Sequence, residues 1–371
     1  MSELREAVFF RWLLGEKECM SWTESDLQKM ADRHRILLYP FIEKHQHCFY
    51  SKDFLEISRL AYLQNIQRVQ SADQFLSRLN TFLSSISAIG IVLKGIPLAA
   101  NYYASRFHRH ARDVDLLIDH ENILHLTQWL ISQGYQWQAD YTQFNSKQQA
   151  DYLEQNHHFC FYSQSTTLPQ VIELHWRCRS SVDAFSFDPF ATGASLLKTN
   201  LDRIFTMDHL EQFIYLCVHG AEHRWYRLKW LLDLPMILQY EKFHWMDVLK
   251  RAREVGAEEH VLLSMDLLHR LTGKYFIDGD HGLMYAPSES KKVDKILVAL
   301  QNSAMLETGY TTAFRQLFFL ASFNHRMLQW KFWRRWLISP ADWKRFPLPE
   351  RFHFLYYIMR PLFWVIRKSC E

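Results

Sequence analysis

Arg109-His110-Ala111-Arg112-Asp113-Val114-Asp115-Leu116-Leu117-Ile118 is the stretch on which the reading of this chain turns. Its apolar, β-branched end predicts a buried strand. Side chains two apart on a strand share a face, so Asp113 and Asp115 present both carboxylates on one side while Val114 points to the other. The Leu-Leu-Ile tail anchors the strand in a core and leaves the carboxylates at its open end. Two hard oxygen ligands at this spacing form a platform for Mg²⁺, which prefers carboxylates together with substrate phosphates.

Upstream, Ile89-Gly90-Ile91-Val92-Leu93-Lys94-Gly95 reads as a second buried strand ended by glycine. Downstream, residues 120–133 read as a helix closed by Gly134, and residues 135–139, 158–162 and 170–176 alternate or run apolar like strands. In the last of these, Val171, Glu173 and His175 fall on one face, and Ile172, Leu174 and Trp176 on the other. A carboxylate turned into a pocket is unfavourable unless a cation pairs with it. If this strand neighbours the Asp-x-Asp strand, Glu173 completes a three-carboxylate set able to hold two metals about 4 Å apart.

Helical periodicity flanks this segment on both sides. Leu76, Leu79 and Phe82 continue a three-to-four spacing that runs through the first 86 residues, and the same spacing returns from about Phe187. The expected architecture is α+β: a small mixed sheet core over residues 87–180, an N-terminal helical region over 1–86, and a C-terminal helical region over 181–371.

Composition excludes several classes. A chain of 371 residues, 48% hydrophobic, can bury a sizeable core. Its six cysteines include no C-x-x-C pair, which argues against a disulfide framework or a zinc ribbon and for a reducing, cytoplasmic setting. No stretch of about 18 uncharged apolar residues is present to span a membrane. The net charge of +3 hides an asymmetry: from Tyr310 onward 11 Lys/Arg face 3 Asp/Glu, and five of the 13 tryptophans lie there.

With these residues in view, the chain resembles the DNA polymerase beta-like nucleotidyltransferase superfamily, and within it the uncharacterised nucleotidyltransferases. The resemblance runs through Lys94-Gly95, Arg109 four residues before Asp113, the Asp-x-Asp with its apolar tail, Gly134-Tyr135, and Glu173-x-His175-Trp176. It continues through His219, His223, Arg227, Trp230 and Asp233, and through Pro340-Ala341-Asp342-Trp343 and Arg360-Pro361, so that it touches residues 90–365. It implies a small mixed sheet carrying the carboxylates, a helical partner domain, and Mg²⁺-dependent transfer of a nucleoside monophosphate from a nucleoside triphosphate. Where the superfamily usually has Gly-Gly or Gly-Ser, this chain, like the uncharacterised group, has Lys94-Gly95. The lysine supplies a charge to the β- or γ-phosphate in place of a hydroxyl.

On this reading Asp113, Asp115 and Glu173 are the catalytic metal ligands, and Lys94, Gly95, Arg109 and Arg112 bind the triphosphate. The pair His219 and His223, spaced i, i+4, lacks the following glutamate and third ligand of a zinc site. With His175 and Arg227 it is expected to line the cleft. The expected partners are the nucleoside triphosphate and an acceptor that the sequence does not identify, with no DNA partner because the body of the chain is mildly acidic. Trp330, Trp333, Arg334, Arg335 and Trp336, with residues 352–366, mix rings and cations as an interfacial helix does. Prolines at 340, 347, 349 and 361 favour internal packing of short pieces, and a weak contact with the inner face of a membrane is the other expectation. The alternative function is a degenerate fold that binds a nucleotide without turnover, as an adaptor or sensor, peripheral to a membrane-linked biosynthetic pathway.

Overall fold

The computed structural model describes residues 4–16, 22–45, 50–137, 144–163, 170–178, 185–191, 193–276, 291–301, 342–343 and 346–368. The chain divides into two compact units. The first comprises Met1–Asp140 with His158–Leu306, the second Tyr141–His157 with Glu307–Glu371. The N-terminal helices, the sheet and the helices that follow it over residues 209–301 belong to the first unit.

The fold is α+β. Four N-terminal helices, α1 (Arg5–Leu13), α2 (Glu24–His34), α3 (Tyr39–Ile42) and α4 (Lys52–Ser85), precede the sheet. Then come β1 (Gly90–Val92), α5 (Ile96–Tyr102), β2 (Asp113–Ile118), α6 (Ile123–Ser132) and β3 (Tyr135–Trp137). They are followed by α7 (Ser146–Gln155), β4 (His158–Ser163), β5 (Val171–His175), β6 (Leu196–Lys198) and β7 (Ile204–Met207). The helices α8 (His209–Glu222), α9 (Leu228–Tyr240), α10 (Trp245–Glu254), α11 (Glu258–Thr272) and α12 (Lys291–Gln301) continue the first unit.

These strands form one seven-stranded mixed sheet in the order β3-β4-β5-β2-β1-β7-β6. The Asp-x-Asp strand β2 is central, antiparallel to β1 and parallel to β5. Gly134 ends the helical run before β3 with φ +83°, a left-handed conformation that glycine adopts without a Cβ penalty. Helical periodicity was expected from Phe187, but β6 and β7 intervene before α8 begins. Strands of three and four residues are too short to show a period. Pairing of β7 with the buried β1, rather than any local pattern, makes Ile204–Met207 a strand.

Two polar side chains tie the helices to the sheet. Asn65, fully buried on α4, donates from Nδ2 to the carbonyls of Phe107 (2.9 Å) and Arg109 (3.1 Å), and its Oδ1 accepts the N–H of Ala111 at 2.9 Å. One residue thereby clamps the irregular segment that leads into β2. His34, at the end of α2, is buried and its pKa is pushed down to about 3 by burial and then by nearby arginines. Its neutral Nδ1 accepts the N–H of Leu228 at 3.1 Å, which joins the end of α2 to the start of α9.

In the second unit α13 (Phe354–Lys368) packs on the segment before it. Tyr356 Oη donates to the Phe346 carbonyl at 2.7 Å and accepts the Leu348 N–H at 2.9 Å, and Arg360 pairs with buried Asp342. Phe354, Ile358 and Leu362, spaced by four along the helix, are exposed. The Trp330–Trp336 part of the tail lies outside the described residues. Among the described residues no helix is long and apolar enough to cross a membrane.

Candidate active site

The parallel pairing of β2 with β5 sets Asp113 opposite Val171, Asp115 opposite Glu173, and Leu117 opposite His175. Residues paired in register point to the same side of a sheet, so Asp113, Asp115, Glu173 and His175 share one face. The antiparallel partner β4 extends that face by placing Cys160 opposite Glu173 and His158 opposite His175. Three neighbouring strands thus bring carboxylates, imidazoles and a thiol onto one surface.

Asp115 is 1% exposed. Lys94 Nζ stands 2.9 Å from its Oδ1, while Oδ2 accepts no hydrogen bond. Burial works against charge on this carboxylate, but Lys94 and then His175 hold it well below the usual carboxylate range. Lys94 in turn keeps its proton above the ordinary lysine range: burial opposes this, and Asp115 outweighs it. The lysine is placed by the turn after β1. Thr206 Oγ1 donates to the Val92 carbonyl at 3.0 Å and Gln212 Nε2 to the Leu93 carbonyl at 2.9 Å. Gly95 then takes φ +81° to redirect the chain into α5, a conformation that a residue with a Cβ rarely adopts.

His175 Nε2 lies 3.5 Å from Glu173 Oε2 and 3.6 Å from Asp115 Oδ1. Burial disfavours the imidazolium, yet the two carboxylates raise the ring's pKa above its ordinary value. Burial raises the Glu173 carboxyl, making it a better proton acceptor than a solvated glutamate. The ligand atoms of Asp115, Glu173 and His175 all lie within 4.8 Å of one another. A buried carboxylate oxygen without a donor, in a set of that span, fits a bound cation.

Arg109 feels the charge of Asp113, but its guanidinium is bound by a carboxylate of α9. Its Nε and Nη2 donate to the two oxygens of Asp233 at 2.7 and 2.8 Å, and Tyr103 Oη donates to Asp233 Oδ1 at 2.7 Å. Both partners are buried, so the segment before β2 is locked to the middle of α9. Arg112 is exposed and borders an open cleft that Arg68, Ser71, Asp113 and Gln170 also line.

The expected cleft residues of α8 are brought to the carboxylates in part. His219 Nε2 lies 3.4 Å from Lys94 Nζ and is buried. His223 stacks on Trp230 with ring centroids 4.7 Å apart, and Arg227 lies over Tyr226 at 5.1 Å. Among the described residues, no metal-ligand group includes His219 or His223.

Two cations beside the carboxylates were not marked by sequence pattern. Lys229, in the first turn of α9, is 9% exposed; its ammonium makes no hydrogen bond or ion pair among the described residues, and it feels the charges of Asp113, Lys94 and Arg35. Burial pushes its pKa down to about 7 against the pull of Asp113. Arg35 follows α2 in a left-handed conformation, φ 52°, and interacts with Arg227, Arg112 and Asp113. Nothing in the pattern around Arg35 links it to a strand almost 80 residues later, and Lys229 stands in a helical run more than 100 residues beyond that strand.

A family model described as an uncharacterised nucleotidyltransferase matches residues 21–273, the stretch that contains every element of this site. The chain belongs to this nucleotidyltransferase family. No curated protein and no solved structure matches it. The family match begins in α2 territory, so the N-terminal helices that carry Arg35 and Asn65 are part of the nucleotidyltransferase rather than an appendage.

Proposed function

We propose that this nucleotidyltransferase transfers a nucleoside monophosphate from a nucleoside triphosphate to an oxygen or nitrogen of an acceptor, releasing pyrophosphate. The observation that carries the reading is the register of β2 and β5: it sets Asp115 beside Glu173 on one sheet face, with an undonated carboxylate oxygen at the centre. Asp113, Asp115 and Glu173 are the residues to hold Mg²⁺, a two-ion site on this reading, which when bound supplies Lewis-acid polarisation of the acceptor and of the triphosphate.

The chain's own groups perform the rest. Lys94, Arg112, Arg35, Arg227 and Lys229 gather positive charge around the carboxylates and neutralise the triphosphate. The acceptor atom attacks the α-phosphorus, the bond from it to the bridging oxygen breaks, and pyrophosphate leaves with the electron pair. Glu173, its basicity raised by burial, takes the acceptor's proton. His175 fixes the orientation of Asp115 and Glu173, and His219 and His223 line the approach. Arg109 acts through Asp233 as a positioning residue. In phosphoryl chemistry positioning and electrostatics supply most of the rate.

The test is label transfer and pyrophosphate release from each α-labelled nucleoside triphosphate with Mg²⁺ and cell extract, comparing the native protein with Asp113→Ala/Asp115→Ala. Transfer that disappears in the variant is expected. Nucleotide binding with no transfer to any acceptor would replace this reading with that of a binding-only adaptor or sensor.

A second reading concerns location. The exposed row Phe354, Ile358 and Leu362, on a helix whose sequence ends in Arg367 and Lys368, favours a peripheral contact with an anionic membrane surface. Salt-sensitive sedimentation with anionic vesicles, lost in Ile358→Glu, is the expected result. Equal sedimentation of that variant would remove the reading.

A further inference from the structure

The same sheet face carries a second set of ligands, two of which the transfer chemistry does not use. Cys160 stands opposite Glu173, and His158 lies two residues away on the same side of β4. One ligand atom from each of His158, Cys160 and Glu173 falls within 4.8 Å of the others. All three are partly exposed, so an ion has a path in from solvent. Cys160 is a free thiol.

The thiol of Cys160 separates this set from the one at Asp115, where His175 also offers an imidazole. Mg²⁺ is a hard cation that takes oxygen ligands and does not seek sulfur or imidazole. A thiolate, an imidazole and a carboxylate together suit Zn²⁺, and three protein ligands with a fourth position open is a common zinc arrangement. We infer that His158, Cys160 and Glu173 form a site for a thiophilic divalent cation of the Zn²⁺ class, and that filling it withdraws Glu173 from the transfer site. Binding breaks the Cys160 S–H bond, forms the sulfur–metal bond and releases the proton to solvent, with no change of oxidation state. Because Glu173 belongs to both sets, zinc at β4 and use of Glu173 beside Asp115 exclude each other. Only this last consequence rests on the function proposed above.

The experiment titrates Co²⁺, a coloured stand-in for Zn²⁺, into chelator-treated full-length protein without nucleotide. A thiolate-to-cobalt charge-transfer band is expected, reversed by Zn²⁺ and untouched by excess Mg²⁺. It should vanish in Cys160→Ser and Cys160→Ala and persist in Asp115→Asn, whose carboxylate is not in this set. In His158→Asn the affinity should fall by about tenfold or more, since removing a direct ligand is at least as damaging as removing an outer-shell partner. Thermal melts identify any variant that fails to fold, and two cysteine replacements guard against one doing so. No band in the native protein, or a band that survives both cysteine variants, overturns the site. In transfer assays with Mg²⁺, Zn²⁺ should inhibit the native protein and inhibit Cys160→Ser about tenfold more weakly. Equal inhibition of the two overturns the withdrawal of Glu173. A protein that shows the band and transfers nothing refutes the proposed function and leaves the metal site standing.

Discussion

Lys94 Nζ and Asp115 Oδ1 meet at 2.9 Å, closer than the 3.6 Å to His175 Nε2, and the second oxygen of Asp115 has no donor among the described residues. The lysine thus supplies, in the metal-free protein, the positive charge that the carboxylate needs in order to stay ionised at that depth. The depressed carboxyl contributes stability that is present above the ordinary aspartate pKa and lost as pH falls through its folded value. The raised ammonium contributes stability that is present below the ordinary lysine pKa and lost as pH rises through its folded value. The pair therefore stabilises the fold between about pH 4 and about pH 10. Lys94→Met is expected to destabilise the metal-free protein by about 3–5 kcal/mol near neutrality, the usual effect of stranding one partner of a buried pair. Mg²⁺ should raise the melting temperature of the variant more than that of the native protein. Equal shifts would show that the cation does not reach Asp115.

Arg109 and Asp233 are expected to behave as a structural pair. Arg109→Ala should destabilise by about 3–5 kcal/mol in denaturant melts, and Arg109→Lys should recover little, because a lysine cannot reproduce the two-bond fork to both oxygens. Arg109→Ala/Asp233→Asn should regain part of the loss. A direct phosphate contact would instead raise KM for the triphosphate while leaving the melt unchanged.

Lys229 is expected to trade stability for binding. Its pKa is pushed down to about 7, below that of an unfolded lysine, so the unfolded chain binds more protons between that value and about pH 10. By linkage, native stability rises with pH across that window, and the penalty of the buried lysine is largest at its lower end. Lys229→Met should therefore raise the melting temperature at pH 7, with a gain that fades toward pH 10. The same variant should weaken binding of the triphosphate by about tenfold, the effect of one lost charge-assisted contact. A stabilised protein with unchanged nucleotide affinity would take Lys229 out of the phosphate site.

Asn65→Leu removes three hydrogen bonds to the segment before β2 and leaves two carbonyls and an N–H unsatisfied in a buried place. A loss of about 2–4 kcal/mol is expected, with transfer reduced because Asp113 is no longer held in register. An unchanged melt would mean that the segment rearranges freely.

Gly220→Ala tests the packing behind His219. A Cβ at this position would lie 2.2 Å from Trp225 Nε1, and Trp225 is fully buried in a left-handed conformation with its N–H bonded to the Gly220 carbonyl at 2.8 Å. The indole has little room to retreat. Overpacking should destabilise by about 1–3 kcal/mol, and the reorientation of α8 should be visible as altered tryptophan fluorescence.

Much of the site was legible in sequence because strand periodicity is local. An alternation of two places Asp113 with Asp115 and Glu173 with His175 on shared faces wherever those strands run. The same alternation, with glycine at Gly95 and Gly134, marked the strands and turns around them. Motif likeness extended this to the family, which the match over residues 21–273 bears out. The short strands β6 and β7 were less readable, since pairing with β1 lies outside any window that periodicity can sample.

What the sequence by itself determined is which side chains share a face: carboxylates at one end of a buried strand, and a glutamate and a histidine on another. Only the tertiary structure decided what those faces meet. Parallel register set Asp115 beside Glu173, and antiparallel register set Cys160 on the far side of it. Helix packing carried Asp233 to Arg109 across 124 residues, and brought Arg35, Lys229 and Asn65 to a strand that none of them adjoins in the chain. The physical reason is range: backbone periodicity acts over a few residues, whereas the partner of a buried charge is chosen by which elements exclude water from it together.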